Sequence, residues 1–169
     1  MKKTIYSVLA GFGIIILVFS CKKDDNKQLL LTGTLVTYSE CKSSKSANLI
    51  TETPDSLSCV DYSFDVSNNK LSIKHINAGF NCCPDSLYCE VTLSNDSIII
   101  QEFEKIAQCN CNCLFDLEIE INGVETKKYQ LIFIEPYSGD QEKIIFGLDL
   151  TKDDEGSYCV VRKQYPWGD

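Results

Sequence analysis

From residue 109 to residue 121 the odd positions run Cys109, Cys111, Cys113, Phe115, Leu117, Ile119 and Ile121, while Asp116, Glu118 and Glu120 fall on even ones. A period of two sends alternate side chains to opposite faces, so this stretch predicts a strand with one buried and one wet face. Asn122-Gly123 then signals a hairpin turn, with Tyr129, Leu131 and Phe133 on the return strand. A second hairpin is predicted where Val91–Leu93 and Ile98–Ile100 flank Ser94-Asn95-Asp96. Ile144, Phe146, Leu148 and Leu150 alternate again before residues 152–156 turn the chain into Tyr158–Val161. Residues 29–38, 62–66 and 71–76 supply the earlier strands.

No stretch of ten or more residues after position 28 keeps a helical spacing of apolar residues. Eight or nine short strands with frequent turn residues predict an all-β fold. The expected form is an antiparallel β-sandwich, immunoglobulin-like or related, with a β-barrel as the alternative. Residues 42–58, rich in Ser, Thr and Asn, predict a long loop. Neither an internal repeat nor a linker divides residues 29–169, which read as one cysteine-rich β domain. Asp154-Glu155-Gly156-Ser157-Tyr158 resembles the D-x-G-x-Y tyrosine corner of immunoglobulin-like sandwiches, although Val160 stands where those domains carry Cys. The resemblance covers five residues and implies a sandwich.

The N-terminus has another character. Lys2 and Lys3 precede an apolar run from Val8 to Phe19. As a helix that run reaches only about 18 Å, short of the roughly 30 Å hydrocarbon core, so it reads as a signal peptide over residues 1–20. Val18-Phe19-Ser20-Cys21 resembles a lipobox, the recognition sequence of lipoprotein signal peptidase. That resemblance implies a Cys21 that carries lipid and begins the mature chain. Two or three acyl chains anchor stably. Residues 21–28 then form a tether. Its Lys22-Lys23-Asp24-Asp25 resembles the export signal of Bacteroides-group lipoproteins displayed on the outer face of the outer membrane. The Cys-x-Cys-x-Cys strand and the Tyr158-Cys-Val-Val-Arg-Lys…Tyr165-Pro-Trp167-Gly ending are similar to those of small Bacteroides-group lipoproteins without assigned function. The implied location is the outer membrane, lipid-anchored and facing the exterior.

Charge narrows the partners. The formal net charge of −8 becomes −10 once Lys2 and Lys3 leave with the signal, and Arg162 is the sole arginine. No basic face is available to neutralise phosphates, which argues against nucleic acid. The membrane is reached through the N-terminal lipid, and a protein or glycan is the expected ligand class. Tyr165 and Trp167 read as closing the open end of the sandwich, or as an aromatic platform.

Beyond Cys21, the cysteines are Cys41, Cys59, Cys82, Cys83, Cys89, Cys109, Cys111, Cys113 and Cys159. An oxidising compartment favours disulfides, and an odd number leaves at least one thiol unpaired. On an extended strand, residues two apart sit near the limit for bridging, so Cys109, Cys111 and Cys113 should each bond elsewhere. Cys82 and Cys83 point to opposite sides and should take different partners. The economical pairing joins the Cys82/Cys83/Cys89 cluster to the Cys109/Cys111/Cys113 cluster. The alternative is a thiolate site for Zn or Cu, or a redox site, built from Cys82, Cys83, Cys109, Cys111 and Cys113.

No catalytic motif stands out, and the chain reads as non-catalytic: a binding or envelope-structural module. His75, the only histidine, reads as an outward or edge strand residue, and the Glu102/Glu104 and Glu118/Glu120 pairs as solvated strand faces. Asp55-Ser56-Leu57, Asp85-Ser86-Leu87 and Asp96-Ser97-Ile98 resemble the D-[S/T]-apolar sites of Bacteroides-group O-glycosylation. That makes Ser56, Ser86 and Ser97 candidate acceptors, expected in turns or loops.

Overall fold

The computed structural model describes residues 30–42, 53–107 and 109–164. Among these residues nine strands are formed: β1 (Thr32–Tyr38), β2 (Leu57–Asp65), β3 (Lys70–Asn81), β4 (Pro84–Ser94), β5 (Ser97–Ala107), β6 (Asn112–Asn122), β7 (Lys128–Ile134), β8 (Ile145–Asp149) and β9 (Glu155–Val161). They make a five-stranded sheet in the order β1-β6-β3-β2-β9 and a four-stranded sheet in the order β4-β5-β7-β8. The two sheets pack face to face as a sandwich, and no closed barrel forms.

The larger sheet is antiparallel throughout. The smaller one is mixed, because β5 and β7 run parallel while β4–β5 and β7–β8 are antiparallel. The expected antiparallel sandwich therefore forms, with β5–β7 as a parallel pair within it. The hairpin read at Asn122-Gly123 is corrected: Gly123 does turn the chain with φ of 79°, but β6 and β7 lie in opposite sheets. Each carries an inward apolar row, Leu117-Ile119-Ile121 and Tyr129-Leu131-Phe133, so both face the common core. The β4–β5 hairpin forms as its sequence predicts, with Leu93 opposite Ile98 and Asn95 at φ 54°.

The buried residues fall into two clusters. The larger includes Leu71, Ile73, Ile98, Ile100, Ile119, Leu131, Phe133 and Val160. The smaller holds Ala78, Phe80, Leu87, Cys113, Phe115 and Leu117. A bulge in β3 serves both. Leu71, Ile73 and His75 face inward on odd positions, the register slips between His75 and Ala78, and Ala78 and Phe80 then face inward on even ones. Asn77 absorbs the extra residue at φ 62°, a conformation Asn tolerates better than most side chains. Its Nδ2 donates to Pro54 O at 3.1 Å and Leu57 O at 2.8 Å, and its backbone N donates to Asp116 Oδ1 at 3.1 Å.

The two open flanks of the sandwich are closed by side chains. On one, Gly33 of β1 meets Val91 of β4 so closely that a Cβ there would overlap the valine. On the other, Phe146 of β8 stacks on Tyr158 of β9 at 4.6 Å between centroids, and Tyr62 lies 6.3 Å from Phe146. The Tyr158 ring of the corner-like motif is thus part of this inter-sheet stack.

Candidate functional site

Along five chain segments the inward row of apolar side chains runs into a polar one at the same level of the sandwich. On β5, Ile98 and Ile100 lead to Glu102; on β7, Leu131 and Phe133 lead to Glu135, just past the strand end. On β3, Leu71 and Ile73 lead to His75; past β9, Val160 leads to Arg162; on β2, Phe64 and Val60 lead to Ser58. All five polar residues are buried, with Ser58 and His75 at 0% exposure.

The imidazole organises them. His75 Nδ1 lies 2.6 Å from Glu102 Oε1, and His75 Nε2 lies 2.9 Å from Ser58 Oγ. Glu135 Oε1 approaches Nε2 at 3.8 Å. Arg162 Nη2 donates to both Glu135 oxygens at 2.6 Å, and its Nη1 donates to Glu142 O at 2.7 Å. The edge of the ring packs on Phe133 at 5.0 Å. Glu102 Oε2 is buried with no hydrogen-bond partner among the described residues.

Charge accounting places one proton in this network. Glu135 and Arg162 neutralise each other, so Glu102 and His75 together carry no net charge only when they hold one proton between them. Burial, the largest influence on Glu102, raises its pKa against the opposing pull of His75. For His75 burial acts first and downward, but the Glu102 carboxylate, its hydrogen bond and Glu135 together push further upward. Both shifts favour the protonated form of each group relative to the unfolded chain.

Ser58, His75 and Glu102 stand in the order nucleophile, base, carboxylate that serves acyl transfer in hydrolases. Here the serine and the imidazole are enclosed between two sheets, and the arrangement acts as an inter-sheet polar clamp. His75 and Glu102 thus depart from their expected outward and solvated positions. Glu104 departs as well: its Oε2 accepts from Asn81 N at 2.7 Å and its Oε1 from Tyr137 O–H at 2.5 Å. Glu118 is exposed and Glu120 pairs with Lys70 at 3.1 Å, so that pair does lie on the wet face. The parity that marks Ile98, Ile100 and Glu102 as one row was present in the sequence. Reading acidic residues as outward regardless of phase missed it.

Among the described residues the cysteines pair as Cys41–Cys113, Cys59–Cys159, Cys82–Cys111 and Cys83–Cys109, with Cys89 free. Cys82 and Cys83 take different partners, and no bond forms within the 109/111/113 group. Two of the three members of each expected cluster do pair across. Cys113 leaves that scheme because the Lys42–Leu114 bridge carries Cys41 alongside it. Cys89 leaves it because it packs against the main core rather than toward the end of β3. The five-thiolate grouping is accordingly reduced: Cys113 stands apart, and the Sγ atoms of Cys82, Cys109 and Cys111 lie within 4.8 Å of one another. Burial foremost, then Glu102, pushes the Cys89 thiol up to about 11.

Ser56 sits exposed in a turn before β2 and Ser97 opens β5 after the hairpin turn. Ser86 lies within β4, opposite Lys105, rather than in a loop. Cys21, Tyr165, Trp167 and most of the 42–58 loop fall outside the described residues. The outer face of the smaller sheet carries an apolar surface in which Tyr88 stacks on Phe103 at 5.0 Å. Ile99 and Ile132 are neighbours there, as are Ile132 and Ile145, and Ile134 and Ile145 are exposed. A search of protein-family models, curated proteins and solved structures finds no match to this chain.

Proposed function

We propose that this protein is a lipid-anchored outer-membrane lipoprotein facing the cell exterior, and that its β domain is a non-catalytic binding or envelope-structural module. The observation that carries this reading is the pairing of eight cysteines into four bridges with Cys89 left over. Such a set forms and persists outside a reducing cytoplasm, the destination to which the leader and Cys21 point. The chain's most catalysis-like constellation is enclosed between the sheets, so solvent meets sheet faces and loops instead. Of these, the face bearing Tyr88, Phe103, Ile134 and Ile145 has the aromatic and apolar character used to contact a protein or glycan.

The test is palmitate labelling and proteinase treatment of intact cells producing the full chain. Wild-type protein is expected to take label, enter the detergent phase and be digested from outside; Cys21→Ala is expected to lose label and anchoring together. A wild-type chain that takes no label overturns the anchor. A labelled chain that resists digestion until the outer membrane is opened overturns the outward orientation.

A second reading, a thiolate metal-binding or redox lipoprotein, is favoured by one observation: the close approach of the sulfurs of Cys82, Cys109 and Cys111.

A further inference from the structure

Two short segments converge just beyond the smaller hydrophobic cluster. Cys82 and Cys83 follow Asn81, the last residue of β3, and Cys109 and Cys111 precede Asn112, the first of β6. Besides the three sulfurs within 4.8 Å of one another, Cys83 Sγ lies 4.0 Å from Cys82 Sγ. A tetrahedral thiolate centre with metal–sulfur bonds of about 2.3 Å holds its sulfurs about 3.8 Å apart. Cys82 and Cys83 already stand near that value, while the bonded pairs Cys82–Cys111 and Cys83–Cys109 must part by about 2 Å on reduction to reach it.

The disulfides are not all that gathers these residues. Asn81 is 4% exposed, and its Nδ2 donates to Cys109 O at 2.5 Å. Its Oδ1 accepts from Cys83 N at 3.0 Å and Cys109 N at 3.4 Å. Cys82 N donates to Cys111 O at 3.0 Å, and Glu104 grips the Asn81 backbone at 2.7 Å. None of these bonds involves sulfur, so opening the bridges leaves the two backbones side by side. The four cysteines are also partly or fully exposed. The other two bridges each join one buried cysteine, Cys113 or Cys59 at 2% and 4% exposed, to one exposed cysteine, Cys41 or Cys159. In the Cys82–Cys111 and Cys83–Cys109 bridges neither sulfur-bearing residue is fully buried, so a reductant can approach either end of each bond.

We infer that Cys82, Cys83, Cys109 and Cys111 form a redox-gated site for a thiophilic cation, Zn²⁺ or Cu(I), bridged when oxidised and thiolate-ligated when reduced. Two dithiol molecules each give up two electrons and two protons and become disulfides, while both S–S bonds of the site open to four thiols. The cation then takes the sulfurs as thiolates, whose protons pass to solvent. Asn81 is the positioning residue, fixing both cysteine segments by its amide. The inference deepens the second reading above and is independent of the lipid anchor.

The test uses the mature protein, anaerobically, with Zn²⁺ alone and with Cu(I) alone, followed by desalting and elemental analysis. Co²⁺ serves as the spectroscopic probe. Oxidised protein is expected to hold no metal. Dithiol-treated protein is expected to hold one Zn²⁺ per chain, with Co²⁺ showing thiolate charge-transfer bands and a tetrahedral visible spectrum. Cys82→Ser/Cys111→Ser should abolish both signals, whereas Cys41→Ser/Cys113→Ser should keep both. Asn81→Ala should weaken Zn²⁺ binding about 10–100-fold and degrade the tetrahedral spectrum. The site is overturned if the reduced protein, with all four thiols titrated, retains no metal, or if the two double variants bind alike. Palmitate labelling is unaffected by either result, so failure here leaves the anchor reading standing.

Discussion

Glu102 and His75 come from opposite sheets and meet at 2.6 Å in the middle of the sandwich, both without solvent contact at the side chain. A pair of this kind stitches two layers that apolar packing alone would hold less specifically. Its cost appears when one partner is removed. His75→Leu leaves the Glu102 carboxylate buried and unpaired, and is expected to cost about 3–5 kcal/mol. His75→Leu/Glu102→Leu leaves Glu135 and Arg162 still neutralising each other, and is expected to recover most of that loss. Urea unfolding of the three proteins checks both statements.

The same pair sets a pH dependence. The folded pKa of His75 is raised, by Glu102 and Glu135 against the opposing effect of burial, and that of Glu102 is raised chiefly by burial. The stability gained by holding the proton is therefore present below the unfolded values, about 4.3 for Glu and 6.5 for His. It is lost as pH rises through the folded ones. Unfolding free energy is expected to be higher near pH 6 than near pH 9. The double-leucine variant should flatten this slope; an equally steep slope in that variant would assign it to other groups.

Cys89 is the one free thiol among the described residues. With its pKa pushed up to about 11, little thiolate exists at neutral pH to react. Native protein is expected to take up iodoacetamide slowly and at that residue alone, and urea should accelerate the reaction. Intact mass before alkylation should lie eight hydrogens below the fully reduced chain, two for each bridge.

Gly33 is where β1 passes over β4. Gly33→Ala drives a Cβ into Val91 and is expected to destabilise by about 1–3 kcal/mol, the usual cost of overpacking. Adding Val91→Ala should return part of it. Thermal unfolding of the single and double variants measures the exchange.

Much of the sandwich was legible because inward rows such as Phe115-Leu117-Ile119-Ile121 repeat with period two and carry branched or aromatic side chains. The unpaired thiol and the separate partners of Cys82 and Cys83 were legible from counting and strand geometry. Which sheet each strand joins was not: Asn122-Gly123 makes a turn, but only the opposing rows of β6 and β7 decide that they face rather than adjoin each other. The clamp was legible in phase yet hidden by residue type, since Glu102 and His75 continue apolar rows that composition alone assigns to water. Ser58 and Arg162 had no such cue until β2 and β9 were placed beside each other. Cys41 found Cys113 through a single isolated bridge at Lys42, a contact without a local signature.

The bond between Cys59 and Cys159 joins residues that face each other across β2 and β9, 100 positions apart. β9 is the last strand of its sheet, and an edge strand is the element a β protein most readily surrenders to a neighbouring copy. Bonded to β2 through Cys159, it cannot leave its own sheet as a whole strand. While that bond is intact, strand exchange between neighbouring molecules through β9 is closed, and crowding cannot turn this edge into the start of a chain of swapped copies.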